Sequence, residues 1–311
     1  MNKFVVIPDI TCDLSEEIRD YFSIEEYISG YIHINDKSIR STLDWSLISR
    51  EEFYKALSDK KMKVSSATAS PEQYYQTFKK YIEQGYDVLS ISISSKASAT
   101  YNVSVLGADR IREEYPHRKI YCLDSARMSG SFGLVVAYAC EMRDAGLELD
   151  EAVERLEVLK TRVHQMGPID DLTFVARRGQ ISNGKAFMGN LVGVKPMGDS
   201  NRDGYVSVLG KVKGIKKALD VTVSYIERVA TDIEDQYIFI MHSDREEYAL
   251  LLKEKIEARI KAKKVFVSDV FPGCGANIGP GMISAYFLGE PISENNVTEK
   301  EMLNLAISEN S

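Results

Sequence analysis

Small polar turns follow several predicted strands of this chain, and their hydroxyl groups are the first candidates for chemistry. Residues 88–93 form a β-branched apolar run, which predicts a buried strand. The chain then passes through a hydroxyl-rich turn at residues 94–101 into a helical pattern. Because free backbone N–H groups and the helix dipole point outward at a helix N-terminus, this turn predicts a carboxylate or phosphate site. A helix cap formed by Ser98 or Thr100 is the simpler interpretation.

Two further polar turns also follow predicted strands. One contains Asp9 and Thr11, and the other consists of Asp124 and Ser125. In a parallel sheet, ligands bind outside the carboxyl ends of the strands, which is where all three turns would meet. Their convergence is a better signal of function than any single turn.

Motifs for catalysis or nucleotide binding are absent from the sequence. It contains no G-x-S-x-G, no H-E-x-x-H and no G-x-x-x-x-G-K-[ST]. Gly273, Gly275 and Gly279 resemble a dinucleotide fingerprint, but too few residues follow for the rest of that unit. His242 ends a predicted strand, where a buried structural histidine is the simpler interpretation. Hydroxyl turns without a general base or metal ligands favour a binding protein with no catalytic residues, metal or cofactor.

These turns must be positioned by strands and helices that alternate along the chain. The alternation predicts an α/β fold with layered, mostly parallel sheets flanked by helices, and 311 residues favour two domains. We predict an N-terminal α/β domain over residues 1–160, a C-terminal α/β domain over 161–290 and a polar tail over 291–311. An amphipathic helix over residues 150–165 is expected to bridge the domains, and a glycine-rich loop is expected over 273–281.

Bulk composition excludes some classes of protein. A net charge of −7 argues against nucleic-acid binding, which needs clustered Lys and Arg. The apolar N-terminal run ends in Pro8-Asp9 without a cleavage site, which predicts a strand rather than a signal peptide. No apolar run approaches bilayer-spanning length, so no integral membrane association is expected. Widely spaced cysteines predict no disulfide framework and a cytoplasmic protein.

Eight short motifs, in this order, resemble those of the DegV family of bacterial fatty-acid-binding proteins over roughly residues 3–289. They are Asp9-Ile10-Thr11-Cys12-Asp13-Leu14, Ser66-Ala67-Thr68-Ala69-Ser70-Pro71, Ile93 through Tyr101, Leu123-Asp124-Ser125, Phe174 through Ser182, Val194-Lys195-Pro196, His242-Ser243-Asp244 and Gly279-Pro280-Gly281. The resemblance implies two α/β domains with a lipid tunnel between and within them. It also implies a bound long-chain fatty acid whose carboxylate is presented to a separate fatty acid kinase.

The resemblance further implies which residues hold the carboxylate. By position these are Ser66, Ser98 and Asn277, the last standing where the family has a histidine. An asparagine can donate a hydrogen bond but carries no charge. We expect the surrounding loops to support the headgroup through Thr11, Ser95, Thr100, Asp124, Ser125, Gly275 and Gly279. The family's G-G-R-I sequence has Gln180 in place of its arginine, and Arg177 and Arg178 are candidates for contacting the partner.

Two alternatives to a kinase-linked fatty-acid carrier stay open at this stage. The first is a kinase-independent carrier of another small amphiphilic lipid, which the uncharged Asn277 favours. The second is a serine hydrolase, which would require His242 within hydrogen-bond reach of Ser98.

Overall fold

The computed structural model describes residues 3–170, 172–177 and 193–311, so Arg178 and Gln180 lie outside it. The elements of the first half are β1 (Phe4–Pro8), α1 (Glu16–Tyr21), β2 (Tyr31–Ile34), β3 (Lys37–Arg40), α2 (Arg50–Ser58), β4 (Val64–Ala67), α3 (Pro71–Glu83), β5 (Asp87–Ser92), α4 (Thr100–Glu114), β6 (Ile120–Asp124), α5 (Ser129–Asp144) and α6 (Leu149–Leu159). Those of the second half are β7 (Val163–Met166), α7 (Leu172–Arg177), β8 (Val194–Ser200), β9 (Val206–Lys213), α8 (Ile215–Val229), β10 (Tyr237–His242), α9 (Glu246–Arg259), β11 (Lys264–Asp269), α10 (Pro272–Ile278), β12 (Ile283–Leu288) and α11 (Val297–Glu309).

The first sheet is parallel, with strand order β1-β5-β6. Its central strand β5 is buried along its whole length, as expected for a strand covered by helices on both faces. Helices α3 and α4 pack on one face through Phe78 and Ile111, and α5 packs on the other. This part of the chain matches the predicted layered α/β arrangement.

The second sheet has the order β11-β10-β12-β7 and is mixed. Only β10 and β11 are parallel, whereas β12 runs antiparallel to both β10 and β7. Helix α10 has 7 residues and spans about 10 Å, too little to return the chain along a strand of about 20 Å. The next strand therefore starts at the same sheet edge and runs back. The α/β class is confirmed, but the expectation of mostly parallel sheets holds for the first sheet alone.

Two small antiparallel sheets complete the fold. One has the order β3-β2-β4, and the other is the β8-β9 hairpin, whose register shifts between Met197 and Gly198. Helix α5 lies between the first and second sheets and contacts both. Burial on every side explains why its sequence is apolar all round.

Three sequence predictions differ from the structure. The helix expected over 150–165 ends at Leu159, and after a 3-10 turn the chain continues as β7, which pairs with β12 from Val163. The expected glycine-rich loop contains α10, which starts with Pro272 at its first turn. The polar tail, expected to be weakly helical around residues 299–307 and appended to the fold, is α11, and it packs Leu303 and Ala306 into a hydrophobic core with α8 and β9. The domain boundaries at 160 and 290 stay predictions.

Candidate functional site

A cavity of about 360 Å³ lies where the four sheets meet. Its lining includes the ends of β1 and β5, the β2–β4 sheet, α10, β12 and the β8–β9 hairpin. Small-molecule sites span about 300–1,000 Å³, so this cavity falls at the small end of that range. The walls are apolar around Ile169, Leu172, Met197 and Met282, and polar where β4 meets α4 and α10.

The polar wall holds all three residues predicted to bind a carboxylate. Asn277 Nδ2 on α10 donates to Ser66 Oγ on β4 at 3.0 Å. Beside this pair, Ser98 Oγ lies 2.8 Å from Thr100 Oγ1, which donates to Thr68 Oγ1 at 3.1 Å. Ser66 and Thr68 are two residues apart, so they lie on the same side of an extended segment. The side chains of Ser66, Thr68, Ser98, Thr100 and Asn277 therefore form one polar surface, which we call the head cluster.

Helix α4 starts at the head cluster. Ser98 Oγ accepts from Thr100 N at 3.3 Å, so this serine contacts the first turn of the helix and also lines the cavity. The first turn carries no acidic side chain that would neutralise the helix dipole. The N-cap residue of α4 is Ala99, which makes no side-chain cap hydrogen bond, so the expected cap at Ser98 or Thr100 is not formed and Ser98 keeps its contact with the cavity.

Two buried hydroxyls in the cavity wall were not predicted from the sequence. Ser41 and Tyr74 are each 1% exposed, and their hydroxyls have no hydrogen-bond partner among the described residues. Burial raises the pKa of Tyr74 well above its ordinary value. Tyr74 is spaced with Phe78, Tyr81 and Ile82 along one helix face, a pattern that predicts core packing, and no sequence signal distinguishes Ser41.

Two buried aspartates hold the cavity wall together. Asp9 Oδ1 accepts from Thr11 N at 2.8 Å, and its other oxygen accepts from Ile93 N at 2.8 Å. These bonds join the ends of β1 and β5 and place Thr11 in the wall. Burial raises the pKa of Asp9, although these hydrogen bonds oppose the shift.

The second aspartate, Asp13, lies behind the wall. Ser129 Oγ donates to Asp13 Oδ2 at 2.6 Å, and Phe271 N donates to its other oxygen at 2.9 Å. Burial raises the pKa of Asp13 to about 8, while the Ser129 and Phe271 hydrogen bonds oppose the shift. Through these two hydrogen bonds, Asp13 links the N-terminal ends of α5 and α10.

Glycines allow neighbouring strands to approach closely along the cavity. A Cβ added at Gly30, Gly167 or Gly198 would lie 2.4, 2.0 or 2.3 Å from a backbone carbonyl oxygen of an adjoining segment. All three glycines line the cavity. Side chains here would push the walls apart.

Three of the predicted supporting residues, Ser95, Asp124 and Ser125, lie outside the cavity lining. Asp124 Oδ1 accepts from Ser95 N at 3.1 Å, which fixes the turn that carries Ser98. Ser125 Oγ donates to Arg127 O at 3.2 Å.

Gly275 and Gly279, which were predicted to support the headgroup, also lie outside the cavity lining. The arginines predicted to contact a partner cannot be placed relative to the cavity. Gly275 faces the Phe53 ring and Gly279 faces the Phe174 ring. Arg177 ends α7, and Arg178 lies outside the described residues.

The structure does not bring His242 to Ser98. His242 is buried outside the cavity, with Nε2 3.6 Å from Asp269 Oδ1 and Nδ1 accepting from Arg245 N at 3.4 Å. Burial lowers the pKa of His242. Within the described ranges, no group of three or more His, Cys, Asp or Glu residues could hold a metal ion. In the same part of the chain, no helix is long and apolar enough to cross a membrane.

Comparison with known proteins finds matches over nearly the whole chain. A family model described as "Uncharacterised protein, DegV family" matches residues 3–290. A DegV domain-containing protein of Clostridium perfringens is 29% identical, with 93% of this chain and 99% of the relative aligned.

Solved structures share the fold. A fatty-acid-binding DegV family protein of Thermus thermophilus aligns with a TM-score of 0.82 and 22% identity, covering 92% of this chain and 99% of that one. A DegV family protein of Ruminococcus gnavus, solved with vaccenic acid, aligns with a TM-score of 0.80 and 21% identity, covering 91% and 99% of the two chains.

Proposed function

Because the chain belongs to the DegV family, we propose that it binds a long-chain fatty acid in the cavity described above. The observation that supports this proposal most directly is the head cluster, a group of hydroxyls and an amide next to apolar walls. In this arrangement Ser66, Ser98 and Asn277 hold the carboxylate, and the apolar walls take the acyl chain. The fatty-acid-binding protein of Thermus thermophilus and the Ruminococcus gnavus protein solved with vaccenic acid support the same ligand class.

Burial of the acyl chain would supply most of the affinity. Burying about fourteen methylenes at ~0.8 kcal/mol each contributes on the order of 11 kcal/mol before the costs of ordering and association. The head cluster needs only to replace the water that the carboxylate loses. Hydroxyls, the Asn277 amide and the first turn of α4 can do this, because they offer several donors to an anion.

The proposal includes a partner, a separate fatty acid kinase that converts the presented carboxylate into an acyl phosphate. Uncharged hydroxyl and amide donors leave a carboxylate oxygen available to a second protein more readily than an arginine clamp would. Mixing the protein, a fatty acid, ATP and a fatty acid kinase from the same source should yield acyl phosphate. If the protein binds lipid but no acyl phosphate forms, the kinase partnership is wrong and the protein is a kinase-independent lipid carrier.

Organic extraction followed by mass spectrometry tests the ligand class directly. Protein purified from bacteria should release a long-chain fatty acid in near-stoichiometric amount. Well-folded protein that releases no lipid and takes up no added fatty acid would contradict fatty-acid binding.

Replacing Ser98 by alanine should weaken binding of a free fatty acid about tenfold to a hundredfold. The change removes a hydrogen bond to a charged group, whereas the methyl ester of the same acid offers no charge to lose. Titration of both ligands into wild-type and Ser98→Ala protein measures the difference. Ser95→Ala is the matched control, since Ser95 belongs to the same turn but lies outside the cavity lining. Equal losses for acid and ester would remove Ser98 from the headgroup site.

A further inference from the structure

A second group of polar side chains faces the cavity from the second sheet. Gln165 on β7 and Tyr286 on β12 are directly paired across the antiparallel strands. Ser284 lies two residues before Tyr286 and so shares its face of the strand. Ser129, at the start of α5, also lines this part of the cavity. These four residues are called the sheet cluster below.

Three residues of the sheet cluster, Ser129, Ser284 and Tyr286, are buried, and Gln165 is half-buried. Tyr286 is 2% and Ser284 6% exposed, and the Tyr286 hydroxyl lies beside those of Ser284 and Ser129. Burial raises the pKa of Tyr286, so its hydroxyl stays protonated and able to donate. The side-chain amide of Gln165 has no hydrogen-bond partner among the described residues. An acyl chain made only of methylenes would leave these groups facing hydrocarbon, which is unfavourable.

The sheet cluster is distinct from the head cluster but belongs to the same cavity. The Cys274 thiol lies next to the backbone of Ser129, and Asn277 of the head cluster is three residues further along α10. Three residues of helix rise about 4.5 Å. One elongated ligand can therefore contact both clusters.

The side chains of the sheet cluster can best bind a neutral ligand group that both donates and accepts hydrogen bonds. Ser129 uses its proton on Asp13, so towards the cavity it can only accept, while Tyr286 can donate. The Gln165 amide can do both. A second carboxylate is disfavoured, because the described lining holds no Lys, Arg or His that could pair with another buried charge. The other titratable groups in the described lining are Asp9, Tyr31, Tyr74 and Cys274.

We propose that the sheet cluster binds a hydroxyl group carried on the acyl chain, so that the preferred ligand is a hydroxylated fatty acid. This inference rests on the proposed fatty-acid binding. It adds a second polar contact, between the chain and Gln165, Ser284 and Tyr286, to the carboxylate contact at the head cluster.

The experiment compares stearic acid with hydroxystearic acids whose hydroxyl lies near the carboxyl, in mid-chain or near the methyl end. One position should bind wild-type protein roughly tenfold more tightly than stearic acid. In Tyr286→Phe that preference over stearic acid should disappear, because the phenol hydroxyl that contacts the ligand hydroxyl has gone. Ser284→Ala should act in the same direction, and thermal unfolding checks that both variants fold.

Tyr138→Phe is the matched control. The Tyr138 hydroxyl is also buried without a partner among the described residues, but it lies outside the cavity lining. This variant should leave both affinities unchanged.

Equal affinity for stearic acid and every hydroxystearic acid would overturn the inference and leave fatty-acid binding intact. A preference that survives both Tyr286→Phe and Ser284→Ala would also overturn it. Failure of all the acids to bind would instead contradict the proposed function.

Discussion

Replacing Asp199 by alanine is expected to lower the free energy of unfolding by about 3–5 kcal/mol. Asp199 is fully buried, and one carboxylate oxygen accepts from His164 Nδ1 at 2.6 Å and from the Tyr225 hydroxyl at 2.7 Å. Its other oxygen accepts from the backbone N–H of Gln165 at 2.7 Å and of Ser200 at 2.6 Å. Alanine would leave all four donors buried without this acceptor. The loss should disrupt the junction of β7 and β8, which forms part of the cavity wall.

The same network should make stability depend on pH. Burial acts to lower the pKa of His164, but the charge and hydrogen bond of Asp199 and the carbonyl of Glu290 raise it overall. A histidine whose pKa is raised on folding contributes stability in full below its unfolded pKa of about 6.5. That contribution is lost as the pH rises through the folded pKa. Asp199→Asn, which removes the charge, should flatten this part of the pH profile.

Denaturant unfolding at several pH values measures both effects. Asp203→Ala is the matched control, because Asp203 lies in the exposed turn after β8 and should change stability by no more than about 0.5 kcal/mol. A loss below about 1 kcal/mol for Asp199→Ala would show that the four donors find other partners.

Elements whose residues alternate or repeat with a clear period could be predicted from the sequence. The residue spacing predicts a helix over roughly 215–229 and a strand over 237–241; the structure has α8 over the same residues as the first and β10 with one residue more than the second. Both carry their own pattern of buried residues, so local spacing suffices. Helix α10 could not be predicted in this way. Its glycines oppose helix formation, and the helix is held by contacts such as that of Gly275 with the Phe53 ring.

The candidate site was predictable only where motifs mark it. The resemblance to the DegV family selected Ser66, Ser98 and Asn277, which the structure brings to one wall, although their role in binding stays a prediction. The hydroxyls of Ser41 and Tyr74 could not be predicted, because only the packing of distant segments shows that they face a cavity.

Replacing Gly167 by alanine should lower the free energy of unfolding by roughly 3 kcal/mol or more. The added Cβ would lie 2.0 Å from Ile283 O and 2.7 Å from Ser284 Cα, both on the neighbouring strand β12. These are backbone atoms, so no side-chain rotation can relieve the overlap, and β7 must move away from β12. Gly167 has no positive φ, so the expected loss comes from the steric overlap alone.

Gly146→Ala separates this steric effect from the general cost of losing a glycine. Gly146 follows α5 with φ +80°, and an added Cβ would meet no atom within 4 Å. Its replacement should cost about 1–2 kcal/mol through backbone strain alone. Since Gly167 lines the cavity and Gly146 does not, Gly167→Ala should also weaken fatty-acid binding, whereas Gly146→Ala should leave it unchanged. Equal losses of stability in the two variants would show that β7 and β12 can separate at little cost. The close approach of these strands would then not explain why position 167 is a glycine.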